Sequence, residues 1–172
     1  LKDDMIKLPA KHKRIMALPM EGPHAAEYEN AVATAKEIID REMRKNPTDI
    51  NMGAISRAIW GMRFAATIPR INPDRNIKIR KAVELTKEAQ ARGEKVLVYS
   101  ALREMQAALH SQFTKEGIEH IFIPSTVQTK DRFSRIKSFQ DDPSITAIVA
   151  GLNVLNRGFT ITGASQVIFT DI

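Results

Sequence analysis

Asn153, Asn156, Arg157 and Gly158 fall within one short stretch, "GLNVLNRGFTITGASQVIFTD" (residues 151–171). Apolar runs at residues 145–150 and 167–169 bracket it. Amides and a guanidinium donate to phosphate oxygens, and Arg adds charge in a planar fork. A glycine lets backbone come close to a ligand. An Arg between an Asn and a Gly in a loop has no obvious packing role, so the chemistry it suggests is the holding of a polyanion. Similar residues end two earlier apolar runs. Ser100, Ala101, Leu102 and Arg103 follow "VLVY", and Pro124, Ser125, Thr126 and Val127 follow "HIFI". A second reading stays open for part of this set: Ser125 and Thr126 are ordinary helix-capping residues, and Arg132 suits a helix surface.

Other chemistries lack their residues. There is no "GxxxxGK[ST]" phosphate loop and no "GxGxxG" after the first strand. Neither a "GxSxG" elbow nor a Ser-His-Asp set occurs. The chain has no cysteine and four scattered histidines without ligand spacing, so no metal site is assigned. Glu116, Glu119, Asp141 and Asp142 fall on helix ends and read as solvated surface. No catalytic residue is assigned, and no self-sufficient active site is expected.

These residues need elements to carry them. The 172 residues suit one domain or one lobe of a larger protein, and 43% apolar content is enough for a packed core. Residues 25–46 read as a helix with basic residues toward its end. A second helix follows, with Thr48 or Asp49 as N-cap and Ile55, Ile59, Met62 and Ala66 on its inner face. "HKRIMALPM" before them reads as a short strand. After Pro69 and Pro73 the pattern alternates. One helix has Ile79, Ala82, Val83, Thr86 and Ala89 inward and Gly93 as its cap. "KVLVYS" is a strand. The next helix turns Leu102, Met105, Leu109 and Phe113 inward and closes at Gly117. "HIFIP" is a strand, and the helix after it presents Phe133, Ile136 and Phe139 or Gln140. "ITAIVAG" and "QVIFTD" are the last two strands. Short apolar strands alternating with helices predict an α/β fold: a parallel sheet covered on both faces. Ligands in such sheets bind beyond the carboxyl ends of the strands, where the residues named above converge.

The net charge of +6 is compatible with nucleic acid, although many basic domains bind none. No stretch reaches the ~18 apolar residues of a membrane span, and no signal peptide is present. The mixed, charged start without Met reads as the middle of a protein, hence an excised fragment. The lack of cysteine fits a cytoplasmic, nucleoid-associated or, in a eukaryote, nuclear setting.

In this order the segments "KVLVYSALREM", "TKDRFSRIKSFQDDP" and "NRGFTITGASQVIFTD" resemble the second, C-terminal RecA-like lobe of superfamily two helicases, in the SWI/SNF-like branch of double-stranded DNA translocases. The first is similar to motif IV of that family and the last to motif V. Upstream, "LPAKHKRIMALPM" resembles the opening of that lobe, and "AIWGMRFAATIP" its "L-R-x-x-x-x-P" segment. Two positions depart: Gly151 stands where the family commonly has Ser or Thr, and Thr160 where it has Asn. The chain reaches Ile172 before motif VI, which supplies arginines to the ATP phosphates.

The resemblance implies residues 1–70 as an N-terminal strand and helical segment, and residues 71–172 as the RecA-like lobe. It implies ATP and Mg2+ in the intact parent, bound between this lobe and the N-terminal RecA-like lobe of the same chain. Duplex DNA, or RNA, would be the further partner. Ser100, Arg103, Ser125, Thr126, Arg132, Asn153, Asn156 and Arg157 would contact the nucleic-acid backbone. Arg157 and Gly158 would face the nucleotide cleft. The isolated lobe would hold no cofactor and hydrolyse no ATP. Two other readings stay open: a stand-alone nucleotide-binding α/β enzyme, and a non-catalytic interaction module on the same fold.

Overall fold

The computed structural model describes residues 12–70, 73–155 and 159–171. The chain opens on a helical hairpin, α1 (Pro23–Met43) and α2 (Met52–Thr67). Pro23 begins α1, where its missing N–H costs nothing. The link to α2 contains a single 3-10 turn at Pro47–Asp49. Asn51, not Thr48 or Asp49, caps α2: its Oδ1 accepts from Ala54 N at 3.0 Å. An amide directly before the first helical turn reaches the free N–H groups that the earlier residues, held in the 3-10 turn, do not.

The hairpin packs through small residues, with Ala35 of α1 and Ala58 and Ala65 of α2 buried. Ile59 points the other way and is 44% exposed, which corrects the inner face expected for α2. "HKRIMALPM" forms no strand; residues 12–20 have no regular structure and Ile15 is exposed. Alternation alone, with no neighbouring strand to take its hydrogen bonds, does not make one.

The α/β part runs α3 (Ile77–Ala91), β1 (Val96–Ser100), α4 (Arg103–Lys115), β2 (His120–Ile123), α5 (Thr129–Asp141), β3 (Ala147–Gly151) and β4 (Gln166–Phe169). Asn76 caps α3, accepting from Lys78 N and Ile79 N. Gly93 and Gly117 close α3 and α4 with positive φ of 70° and 67°, where a side chain would be strained. The four strands are all parallel, in the order β2-β3-β1-β4. One face packs on α3 and α4 through Ile79, Ala82, Val98, Met105, Leu109, Phe113 and Val149. The other packs on α5 through Leu97, Ile123, Ile136, Phe139 and Ile148.

Two expectations change on that second face. Phe133 is 53% exposed and meets the Phe159 ring at a tilt of 46° rather than entering the core. The edge strand β4 leaves Val167 and Phe169 about half exposed, with Tyr99 stacked on Phe169. The sheet is therefore covered on both faces over its two inner strands, β3 and β1, and only partly at β4.

Candidate nucleic-acid interface

Strand order decides where a site can lie. From β1 the chain crosses on one face, through α4, to β2; from β3 it crosses on the other face, past β1, to β4. The two connections leave in opposite directions from adjacent strands, the arrangement that opens a crevice in doubly wound sheets. Its floor is the register pair Ser100 and Gly151.

That crevice is filled. Gln106, 4% exposed, reaches over from α4 and donates from Nε2 to Ser100 O at 2.9 Å. A Cβ on Gly151 would sit 3.1 Å from this Nε2 and 3.2 Å from Val154 Cγ2. Gly151 is thus the residue that makes room for Gln106. Its physical partner lies in α4, three elements earlier in the chain.

The predicted contacts separate into groups. Ser100 is fully buried: its Oγ accepts from Leu102 N at 3.1 Å and shapes the start of α4, presenting no hydroxyl to solvent. Arg103, the first residue of α4, is exposed, and no hydrogen bond or ion pair holds it among the described residues. Ser125 and Thr126 are exposed on the loop after β2, and neither caps α5, whose N-cap is Gln128. Asn153 is exposed at the crest of a turn closed by Val154 N to Gly151 O at 3.0 Å. Asn156, Arg157 and Gly158 lie outside the described residues.

Arg132 does something different from either reading of it. Its Nε donates to Val127 O at 2.8 Å, Nη1 to Val154 O at 3.2 Å and Nη2 to Ser125 O at 3.2 Å. One guanidinium fork ties the loop after β2 to the loop after β3. A free helix-surface Arg would make no such set, and a cation held by three carbonyls has fewer donors left for a phosphate. The sequence shows the Arg but not the three carbonyls, which come from residues 5, 7 and 22 positions away.

Three further residues shape the edge without a motif to announce them. Asp171 accepts from Ala101 N at 2.9 Å and from Thr170 Oγ1 at 2.9 Å, which holds the end of β4 to the start of the loop after β1. Lys78 lies close enough to feel that carboxylate. Burial pushes the Lys78 ammonium below its ordinary pKa, and Asp171 partly offsets this. Lys78 Nζ also reaches Thr67 Oγ1 at 3.4 Å, linking the hairpin to the sheet. For Gln106 the one local signal is a glycine, Gly151, at the end of a strand.

The charge here is mixed. Glu104 lies beside Arg103 and Asp131 beside Arg132, each in the first turn of its helix, where a carboxylate suits the helix dipole. Among the described residues no three His, Asp or Glu side chains converge on a point that could hold a metal ion. Mg2+ would therefore need ligands from elsewhere.

Residues 77–172 match the family described as the helicase conserved C-terminal domain. The chain is 27% identical over 94 residues to the chromatin-remodeling ATPase INO80 of Aspergillus oryzae, covering 55% of this chain and 6% of that protein. It is 28% identical over 109 residues to the SNF2 domain-containing protein CLASSY 3 of Arabidopsis thaliana, covering 60% of this chain and 8% of that one. The chain therefore corresponds to a small part of these relatives' length. Among solved structures, the SWI2/SNF2 ATPase C-terminal domain of Sulfolobus solfataricus superposes with a TM-score of 0.72 at 22% identity, over 86% of this chain and 66% of that one. The C-terminal part of the Fun30 ATPase domain gives 0.78 at 16% identity, over 96% and 76%. The Sulfolobus solfataricus SWI2/SNF2 ATPase core in complex with dsDNA gives 0.73 at 22% identity, over 86% and 32%. These likenesses establish the fold: a RecA-like parallel sheet flanked by helices, with helices before it.

Proposed function

The chain belongs to the helicase conserved C-terminal domain family, and from that premise we propose that it is the second lobe of an ATP-driven duplex DNA translocase, where it grips the nucleic-acid backbone and walls one side of the ATP cleft. The observation that carries the reading is the carboxyl edge of the sheet. Arg103 stands exposed there at the first residue of α4 and Asn153 on the loop after β3, and Arg132 holds that loop to the loop bearing Ser125 and Thr126. Arg157 and Gly158 extend the set by sequence.

ATP would supply the driving energy when bound between the lobes. Phosphoryl transfer depends on positioning and charge stabilisation, so a lobe with no phosphate loop contributes a wall and a grip, not a complete site. Hydroxyl, amide and guanidinium contacts to phosphate carry no base information, so binding is independent of sequence. Gln106 speaks against the stand-alone nucleotide enzyme, because its amide fills the crevice that such a fold uses for its ligand. The hairpin of α1 and α2, within residues 1–70, would be an accessory to the lobe at 71–172.

The test is binding to two labelled duplexes of unrelated sequence, beside an ATPase assay of the same chain. Equal affinities within error and no hydrolysis support the reading. A strong preference for one duplex, or turnover of ATP by the chain alone, contradicts it.

A further inference from the structure

α5 carries two residues that its own folding does not explain, and they lie side by side. The first is Lys130, in the first turn of the helix, where the positive end of the dipole disfavours a cation. The second is Phe133, one turn on, which is 53% exposed while Ile136 and Phe139 of the same helix fill the core. Lys137 follows one turn later. Residues 130, 133 and 137 stand three and four apart, so their side chains form one stripe along the helix surface. Both lysines are exposed, and among the described residues neither makes a hydrogen bond or ion pair. Asp131 lies about 100° around the helix from Lys130, and Asp141 ends the stripe one turn beyond Lys137. The basic part is therefore the N-terminal half of α5, next to the loop that bears Ser125 and Thr126.

Two observations say what this stripe meets. One is position. Arg132 ties the first turn of α5 to the loop after β3 through Val154 O. Phe159, later in the same connection, supports the Phe133 ring at 4.6 Å between centroids. The stripe is thus continuous with the edge assigned above to the phosphate grip. The other is composition. Lysine is depleted at protein interfaces. Ammonium groups on phosphates with an aromatic ring among them are instead the pattern of nucleic-acid surfaces. A rise of 1.5 Å per residue sets Lys130 and Lys137 about 10 Å apart along the helix, with Phe133 between them. That distance is about three steps of one strand.

We propose that Lys130, Phe133 and Lys137 form a second contact with the nucleic acid, the two ammonium groups on phosphates of one strand and the Phe133 ring against the sugar and base between them. It rests on the translocase reading and adds to it an apolar contact that salt does not screen.

The test is the affinity of the full chain for a labelled duplex across a salt series. Lys130→Ala/Lys137→Ala should make the slope of log affinity against log salt shallower by about 2. Phe133→Ala should weaken binding about tenfold at every salt concentration with the slope unchanged. Phe133→Trp should restore it, and far-UV circular dichroism should not change, since all three side chains are exposed. Arg103→Ala separates this contact from the grip. If Arg103→Ala flattens the slope while the α5 variants bind as the native chain does, the proposal is overturned and the translocase reading stands. If the α5 variants weaken binding and Arg103→Ala does not, the proposal stands and the grip at Arg103 fails. If the native chain binds no duplex at low salt, both fall. A Phe133→Ala effect that vanishes at high salt also overturns the proposal, since the ring would then act only through the lysines.

Discussion

Arg132 Nη1 donates to Val154 O at 3.2 Å, across 22 residues of sequence. Through this bond, and those to Val127 O and Ser125 O, a helix of one crossover fixes the loop of the next. Loops at a sheet edge are ordinarily its most mobile parts; here two of them share one rigid fork. The exposed residues they carry, Ser125, Thr126 and Asn153, are thereby held in a constant relation.

Arg132→Ala should lower stability by about 1.5–3 kcal/mol, the range for hydrogen bonds to a charged group. Arg132→Lys should recover little of it, since an ammonium cannot match the planar fork. Urea unfolding checks the magnitude. Hydrogen exchange checks the location: residues 151–155 should exchange faster in both variants. Unchanged exchange there would mean that the clamp does not order the loop.

The fit of Gly151 to Gln106 predicts coupling. Gly151→Ala alone should destabilise by about 1–2 kcal/mol from crowding, as its Cβ would meet Gln106 Nε2 at 3.1 Å. Gln106→Ala alone removes a buried hydrogen bond. The double variant should lose clearly less than the sum of the two, a coupling of about 0.5 kcal/mol or more. Additive losses would show that the two side chains do not compete for the crevice.

Glu42 is buried at the turn between α1 and α2. It accepts from Lys45 Nζ at 2.8 Å and from Asn51 N at 2.8 Å. The Lys45 bond, then the Asn51 N–H, holds its carboxyl below the ordinary value of 4.5. A depressed carboxyl pKa contributes stability that is present above the unfolded value and lost as pH falls through the folded one. Glu42→Gln should therefore melt at a lower temperature than the native chain at pH 7. The gap should close as pH falls below about 4.5. A gap that persists at low pH would assign the effect to packing.

His110 and His120 are hydrogen-bonded to each other. His120 Nδ1 faces Ile118 O at 2.7 Å, an acceptor only, so it carries a hydrogen and leaves His120 Nε2 to accept from His110 Nδ1 at 2.7 Å. Burial, then the neighbouring imidazole, pushes His110 below its ordinary 6.5. The folded state thus binds protons less readily, and stability falls as pH drops below that value toward the folded pKa. His110→Gln should flatten the stability profile between pH 7 and pH 5. A profile with the same slope in the variant would place the titration elsewhere.

Much of the fold was legible because the α/β part obeys local rules. Ile79, Ala82, Thr86 and Ala89 recur at helical spacing and are all buried, and Gly93 and Gly117 sit where the caps require them. The hairpin was misread at Ile59 because α2 is apolar on both sides, and periodicity cannot say which side meets a neighbour. Phe133 was misplaced for a related reason: its partner, Phe159, comes from a loop that local pattern does not place. At the site, residue types pointed to the carboxyl edge of the sheet. What they could not show was that Ser100 is buried, that Gln106 fills the crevice and that Arg132 is engaged, since each depends on a contact between crossovers.

The central claim is that this edge grips a phosphate backbone. Its most direct test is the affinity of the chain for a short labelled duplex across a salt series, beside Arg103→Ala/Arg157→Ala. Each phosphate contact contributes about 0.9 to the slope of log affinity against log salt on duplex DNA. The native chain should lose affinity steeply with salt, and the double variant's slope should be shallower by about 2. Identical slopes, or no binding by the native chain at low salt, would contradict the assignment of this edge as the grip.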